Sequence, residues 1–210
     1  AAEMLRELGY YTGICGRTFH LDGSARMGPV TKPLFDKLNM RTFARRVDYL
    51  DPGSAQEGTG RHLETFLDKK PAGKPFFMWM NFSDPHHPWT ANAAGLRHDP
   101  AAIKLPPYLP DLPGVRADLA RYLDEIAHCD TLVAAVLDIL KRRGVDNTLV
   151  VFCGDNGMAF PHGKGSLYDP GLNVPLVVNW PGVVKPGERT SALISGEDIA
   201  PTFIEAAGGK

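Results

Sequence analysis

Residues 148–180, TLVVFCGDNGMAFPHGKGSLYDPGLNVPLVVNW, carry the pattern that decides the fold class. TLVVFC is a short apolar run of strand length, VPLVVNW is another, and the polar, glycine-rich stretch between them is too irregular for regular structure. Upstream, Leu119, Leu123, Ile126, Val133, Val136, Leu137 and Leu140 recur at helical spacing, which predicts a helix over Arg116–Arg143 closed by Gly144. Before it lie a proline-rich loop, the polar cluster SDPHHPW (83–89) and KPFFMWMNF (74–82), whose continuous apolar character suits a central strand buried on both faces. Further out, a helix is expected at Gly60–Asp68, a loop that covers something from His20 to about Arg46, a strand at YYTGIC and a helix end at residues 2–8. Strands alternating with helices indicate an α/β fold: a mainly parallel central sheet with helices on both faces. In such sheets ligands bind beyond the carboxyl ends of the strands. SDPHHP and GDNG both follow strands.

The composition narrows what such a fold could do. The chain has 210 residues and is 43% hydrophobic, enough for one sizeable core, so residues 1–210 are expected to form one domain or a large piece of one. Lysine and arginine total 23 against 24 acidic residues, which gives no overall attraction to nucleic acid or to an anionic membrane. Recognition of an anion must then be local. No apolar run approaches the roughly 20 residues that span a bilayer. The start has no initiator methionine or apolar signal core, and the end reads as a helix stop, so truncation at both ends is expected. Cys15, Cys129 and Cys153 are scattered and suggest no disulfide framework. Cys15 and Cys153 sit in strand-like runs and are expected to be buried.

Asp155 and Asn156 each offer a side-chain oxygen directly after a strand, and carboxylate plus amide oxygen suits a hard cation. Asp-Asn-Gly is equally what a tight turn uses, and taken alone the turn is the commoner meaning. Lys164 lies between two glycines, on backbone able to approach a ligand closely, where an ammonium could meet a tetrahedral anion. A solvated loop lysine has the same sequence. His162 is ambiguous in the same way. His86 and His87 are flanked by prolines after a central strand, and a histidine so restrained could act as a general acid or could simply be exposed. Arg17 and His20 follow the strand YYTGIC, and Arg17 reads equally as a surface residue.

Four segments in this order resemble the sulfatase family of the alkaline phosphatase superfamily, over nearly the whole chain. GYYTGICGRTFHLDG (9–23) is similar to its strand followed by Gly-Lys-Trp-His-Leu-Gly, with Arg for Lys and one extra residue before the histidine. PFFMWMNFSDPHHPW (75–89) is similar to its strand ending in Asp-Pro-His, and SGEDIAPTFIEAAG (195–208) to a later helix. Residues 147–182 match its most distinctive stretch, with Asp-Asn-Gly, a Gly-Lys-Gly loop and a strand entered through Val-Pro. Residues 105–130 are more similar to heparan N-sulfatase-like members than to arylsulfatases.

The resemblance implies an alkaline phosphatase-like fold and hydrolysis of sulfate esters or sulfamates by a formylglycine, with a divalent cation, usually Ca2+. It implies Asp155 and Asn156 as metal ligands, His86, Lys164 and His20 as catalytic residues, and Arg17, His87 and His162 as substrate-binding ones. It also implies a sulfated small molecule or glycan as substrate and an extracytoplasmic location. No Cys/Ser-x-Pro-x-Arg, the sequence that directs formylglycine formation, occurs in the 210 residues, so the nucleophile is expected upstream and this piece is expected to be inert by itself. A phosphodiesterase or phosphonate hydrolase of the same superfamily, or a non-catalytic relative that binds sulfated glycans, would share most of these residues.

Overall fold

The computed structural model describes residues 1–18, 31–51, 59–95 and 97–210, which divide into two compact units, residues 1–83 with 191–210 and residues 84–190. In the first unit, α1 (Ala2–Glu7) leads into β1 (Tyr11–Cys15), which pairs in parallel with β2 (Tyr49–Leu50) on one side and β3 (Phe76–Met80) on the other. The register sets Tyr11 beside Phe76 and Gly13 between Tyr49 and Met78, so these residues share one face. Phe66, from α3 (Gly60–Lys69), is fully buried against that face and touches the rings of Tyr11, Tyr49 and Phe76. Gly13 makes room for it, because a Cβ there would stand 2.6 Å from the Phe66 ring.

Alternation along the strand turns Phe77 to the opposite face, where it meets the edge of Phe203 from α6 (Ile199–Ala206) at 5.6 Å. Helices therefore cover both faces of a parallel sheet, as the sequence predicts. Beside this core the buried His62 accepts at Nδ1 from the Thr59 N–H at 3.0 Å and donates from Nε2 to the Asp51 carboxylate at 2.5 Å. Beyond the strand ends, the Asn81 amide donates to the carbonyls of Cys15 and Gly16 at 3.1 and 3.0 Å, pinning the end of β3 to the end of β1. One expectation fails within the basic stretch from His20 to Arg46: α2 (Thr31–Lys37) interrupts it, with Lys32 and Asp36 paired one turn apart.

The second unit is organised by α4 (Pro113–Arg142), which starts with proline at its first turn and ends before Gly144 at φ +62°. Its buried face differs from the expected one. Leu119, Ala120, Cys129, Ile139 and Leu140 are buried, and so are Asp124 and Glu125, whereas Ile126 and Leu137 are exposed. β4 (Val150–Cys153) and β5 (Leu176–Asn179) pair antiparallel, with Cys153 opposite Leu176. The connecting chain is spent in a compact loop at the carboxyl end of β4, with a single turn of helix, α5 (Asp169–Leu172). It lacks the crossover needed to return to the far end for parallel pairing, so it re-enters the sheet beside the end it left. Among the described residues no helix is long and apolar enough to cross a membrane.

Candidate active site

The loop after β4 is held by backbone packing at its glycines. A Cβ on Gly157 would lie 2.0 Å from the Pro170 carbonyl oxygen, and one on Gly163 would lie 2.2 Å from that of Met158. A Cβ on Gly171 would meet the carbonyl oxygens of Ser166 and Gly163 at 2.5 and 2.6 Å. Gly157, Gly163 and Gly171 are thus required for contact of the loop with itself, whereas Gly165, at φ +81°, has open space where a Cβ would stand. Within that frame the Phe160 and Lys164 N–H groups both donate to Met158 O at 2.8 Å, and the Ser166 hydroxyl donates to His162 O at 2.7 Å.

This frame presents polar side chains outward. Asp155, Asn156 and Lys164 are all exposed. The Asn156 amide nitrogen donates to Gly157 O at 2.9 Å, which leaves its Oδ1 unused beside an Asp155 carboxylate without a hydrogen bond or ion pair among the described residues. Two adjacent free oxygens suit a hard cation such as calcium. They are an incomplete set, since no group of three or more His, Cys, Asp or Glu side chains among the described residues is arranged to hold a metal. No carboxylate among the described residues pairs with Lys164, so its charge remains available to an anion. His162 has φ +62° and sits edge-on to Tyr108 and Tyr168, at ring separations of 6.1 and 4.7 Å.

The histidine loop meets this frame through aromatic rings. Trp89 stacks on Phe160 at 4.7 Å and 7°, and Tyr122 from α4 closes on both rings edge-on. His87 packs its edge on Trp89 at 4.9 Å. The ring nitrogen Nδ1 of His86 lies 2.6 Å from the His87 carbonyl, which can only accept, so Nδ1 carries a proton and Nε2 is the atom left to exchange one.

Helix α4 fixes the rest of this loop from below. Asp124 accepts from the Asn92 N–H at 2.7 Å, the His98 N–H at 2.8 Å and His98 Nδ1 at 2.7 Å. Burial pushes its carboxyl up, but these donors outweigh it and hold the group below the ordinary carboxylate value. The Glu125 carboxylate accepts from the Thr90 N–H at 2.6 Å, while its second oxygen, Oε2, is buried without a hydrogen bond. Burial raises the Glu125 carboxyl first, and the Asp84 charge adds to it. His128, one turn further along α4, donates from Nδ1 to Asp84 at 2.5 Å.

Six of the eight residues singled out in the sequence, Asp155, Asn156, Lys164, His162, His86 and His87, therefore lie in one unit, on two loops joined by stacked rings. Arg17, at φ +42°, lies in the other unit at the carboxyl end of β1, and His20 lies outside the described residues. Cys15 is buried and its thiol is pushed up to about 12, by burial and then by the Asp51 charge. Cys153, expected to be buried, is exposed, because β4 belongs to a two-stranded ribbon instead of a covered central sheet. Sequence reasoning missed Asp84, Asp124, Glu125, His98 and His128. Asp124 follows Leu119 and Ala120 by five and four positions, so a carboxylate on the helix's core face was the available signal.

The sulfatase family profile matches residues 2–209. The human N-sulphoglucosamine sulphohydrolase is 30% identical over 96% of this chain, and an ulvan-active sulfatase of Formosa agariphila is 28% identical over all of it. The chain spans 43% and 37% of the lengths of these two relatives. In structure it is similar to Ps i-CgsB, solved in complex with k-i-k-neocarrahexaose, with a TM-score of 0.65 and 24% identity over the whole of this chain and 53% of that one. That likeness adds the fold, the alkaline phosphatase-like α/β arrangement. The order of motifs, the family match over almost every residue and the shared fold agree: the chain belongs to the sulfatase family.

Proposed function

We propose that residues 1–210 are part of one catalytic domain that hydrolyses a sulfate ester or sulfamate of a saccharide. The observation that carries this is the Trp89–Phe160 stack, which joins the loop bearing His86 to the loop bearing Asp155, Asn156 and Lys164. The names of the relatives, a sulphoglucosamine sulphohydrolase and an ulvan-active sulfatase, favour a sulfated sugar. Asp155 and Asn156 would hold a divalent cation, calcium in this family, together with ligands from outside this sequence. When bound, such a cation would supply positive charge to the site. The nucleophile, a formylglycine, likewise belongs to a segment outside these residues.

The chain's own side chains then have separate tasks. Lys164 places an ammonium on the sulfate, and His162, held between two tyrosines, and His87 line its surroundings. His86, with Nδ1 already donating to a carbonyl, can donate from Nε2 only as an imidazolium. Protonated, it delivers that proton to the leaving oxygen or nitrogen and returns to the neutral Nδ1–H form. Arg17 and His20 are assigned as further contacts to substrate and nucleophile. An extracytoplasmic location accompanies this assignment.

The test uses the complete protein, coexpressed with a formylglycine-generating enzyme and assayed on an aryl sulfate, sulfated saccharides and a phosphodiester. Turnover of the sulfated substrates with stoichiometric calcium is expected, and Asp155→Ala should lose both. Unchanged metal content and turnover in that variant would refute the assignment, and preference for the phosphodiester would place the protein among phosphoryl-transfer relatives. The 210 residues expressed by themselves should be inert.

A further inference from the structure

We infer that His128 and Glu125 of α4 are positioning residues that set the place of His86; the inference rests on the role proposed for His86. Both ends of the short segment around the histidine are tied to one face of one helix. Asp84, two residues before His86, accepts from His128 Nδ1, and the Thr90 N–H, four residues after it, donates to Glu125 Oε1 at 2.6 Å. The two helical residues are three apart and therefore neighbours on the surface of α4. Glu125 is only 4% exposed and His128 and Asp84 are partly buried, so water competes poorly for these contacts.

Between the clamps, His86 has one polar contact of its own among the described residues, to the neighbouring His87 carbonyl, which orients the ring but does not locate the loop. Trp89 donates from Nε1 to Pro85 O at 3.2 Å and stacks on Phe160, which stiffens the segment from above. The location of His86 along the site is therefore set by the helix. A displacement of about 1 Å at a group that acts in the transition state can cost on the order of 10²-fold. Loss of a clamp should accordingly appear in kcat more than in KM.

The experiment is a cycle in the complete protein, with His86→Ala, His128→Ala, the double variant, and His128→Asn and His128→Gln. Asparagine places an amide N–H close to the position of Nδ1, and glutamine carries it one methylene further. Expected are a fall in kcat of about tenfold or more for His128→Ala with KM little changed, recovery of most of it in His128→Asn but not in His128→Gln, and no further loss when His128→Ala is added to His86→Ala. Full kcat in His128→Ala, or losses that multiply in the double variant, would overturn the inference. If His128→Ala does not fold, equal activity of the asparagine and glutamine variants would do the same. An unchanged kcat in His86→Ala would instead overturn the role proposed for His86, which keeps the two failures distinct.

Discussion

Replacing Asp124 with alanine should be among the most damaging single changes in this chain. The carboxylate is 1% exposed and accepts three hydrogen bonds, two from backbone N–H groups and one from an imidazole. Hydrogen bonds to a charged group contribute roughly 1.5–3 kcal/mol each, and a buried donor left without a partner costs about 1–3 kcal/mol. His98 is 39% exposed, so water recovers part of the loss there and the sum is discounted to about 3–5 kcal/mol. Asp124→Asn keeps one oxygen but turns an NH2 towards an N–H donor, and should cost about 1.5–3 kcal/mol. Urea unfolding of the complete protein, followed through tryptophan fluorescence, measures both. The sign with pH follows from the depressed carboxyl. Asp124 stabilises the fold above its ordinary titration range, near pH 4, and that contribution disappears as pH falls through the lower value of the folded state. In Asp124→Asn this part of the acid sensitivity should be missing. A cost under about 1 kcal/mol for the alanine variant, with an unchanged m value, would refute the reasoning.

Other outcomes are expected on the same grounds. Lys164→Ala in the complete protein should lower kcat by about 10²-fold if the ammonium meets charge that develops in the transition state, and steady-state kinetics on a sulfated saccharide would show a rise in KM alone if it does not. The Cys15 thiol, buried and pushed up to about 12, should resist labelling at pH 8 until the protein unfolds. Cys153 is exposed, but partial desolvation of its thiol raises it, and the Asp155 charge adds to this. Asp155→Asn, or calcium bound at Asp155, should therefore speed labelling of Cys153, and an unaltered rate in both cases would separate the two side chains.

The strand and helix pattern was legible because it follows from local periodicity. KPFFMWMNF and the helix after the proline-rich loop appear within a few residues of where the sequence puts them, but among the described residues β3 is an edge strand with Trp79 exposed, and β1, not β3, is the central strand. What escaped was set by contacts distant in sequence. Asp124 shares a helix face with Leu119 and Ala120, but the sequence does not show which donors meet it or Glu125 there, and Thr90, Asn92 and His98 supply them. The direction of β5 was hidden too, since VPLVVNW suits either pairing and the compactness of the preceding loop decided it. The site residues were legible by type and spacing, while the rings that join their loops, Trp89, Tyr122 and Phe160, carry no pattern of their own.

The glycine contacts after β4 also bear on how this site can diversify. At Gly157, Gly163 and Gly171 the obstacle is main chain, which has no alternative rotamer to adopt. A library randomised over residues 155–171 should thus sort into closed and open positions, with little gradation between them. Leu167, which is 88% exposed in the same segment, is free to change in size and polarity without disturbing the frame, whereas Tyr168 packs on His162. Selection for a different substrate would leave the scaffold of the loop intact and act on the side chains that project from it.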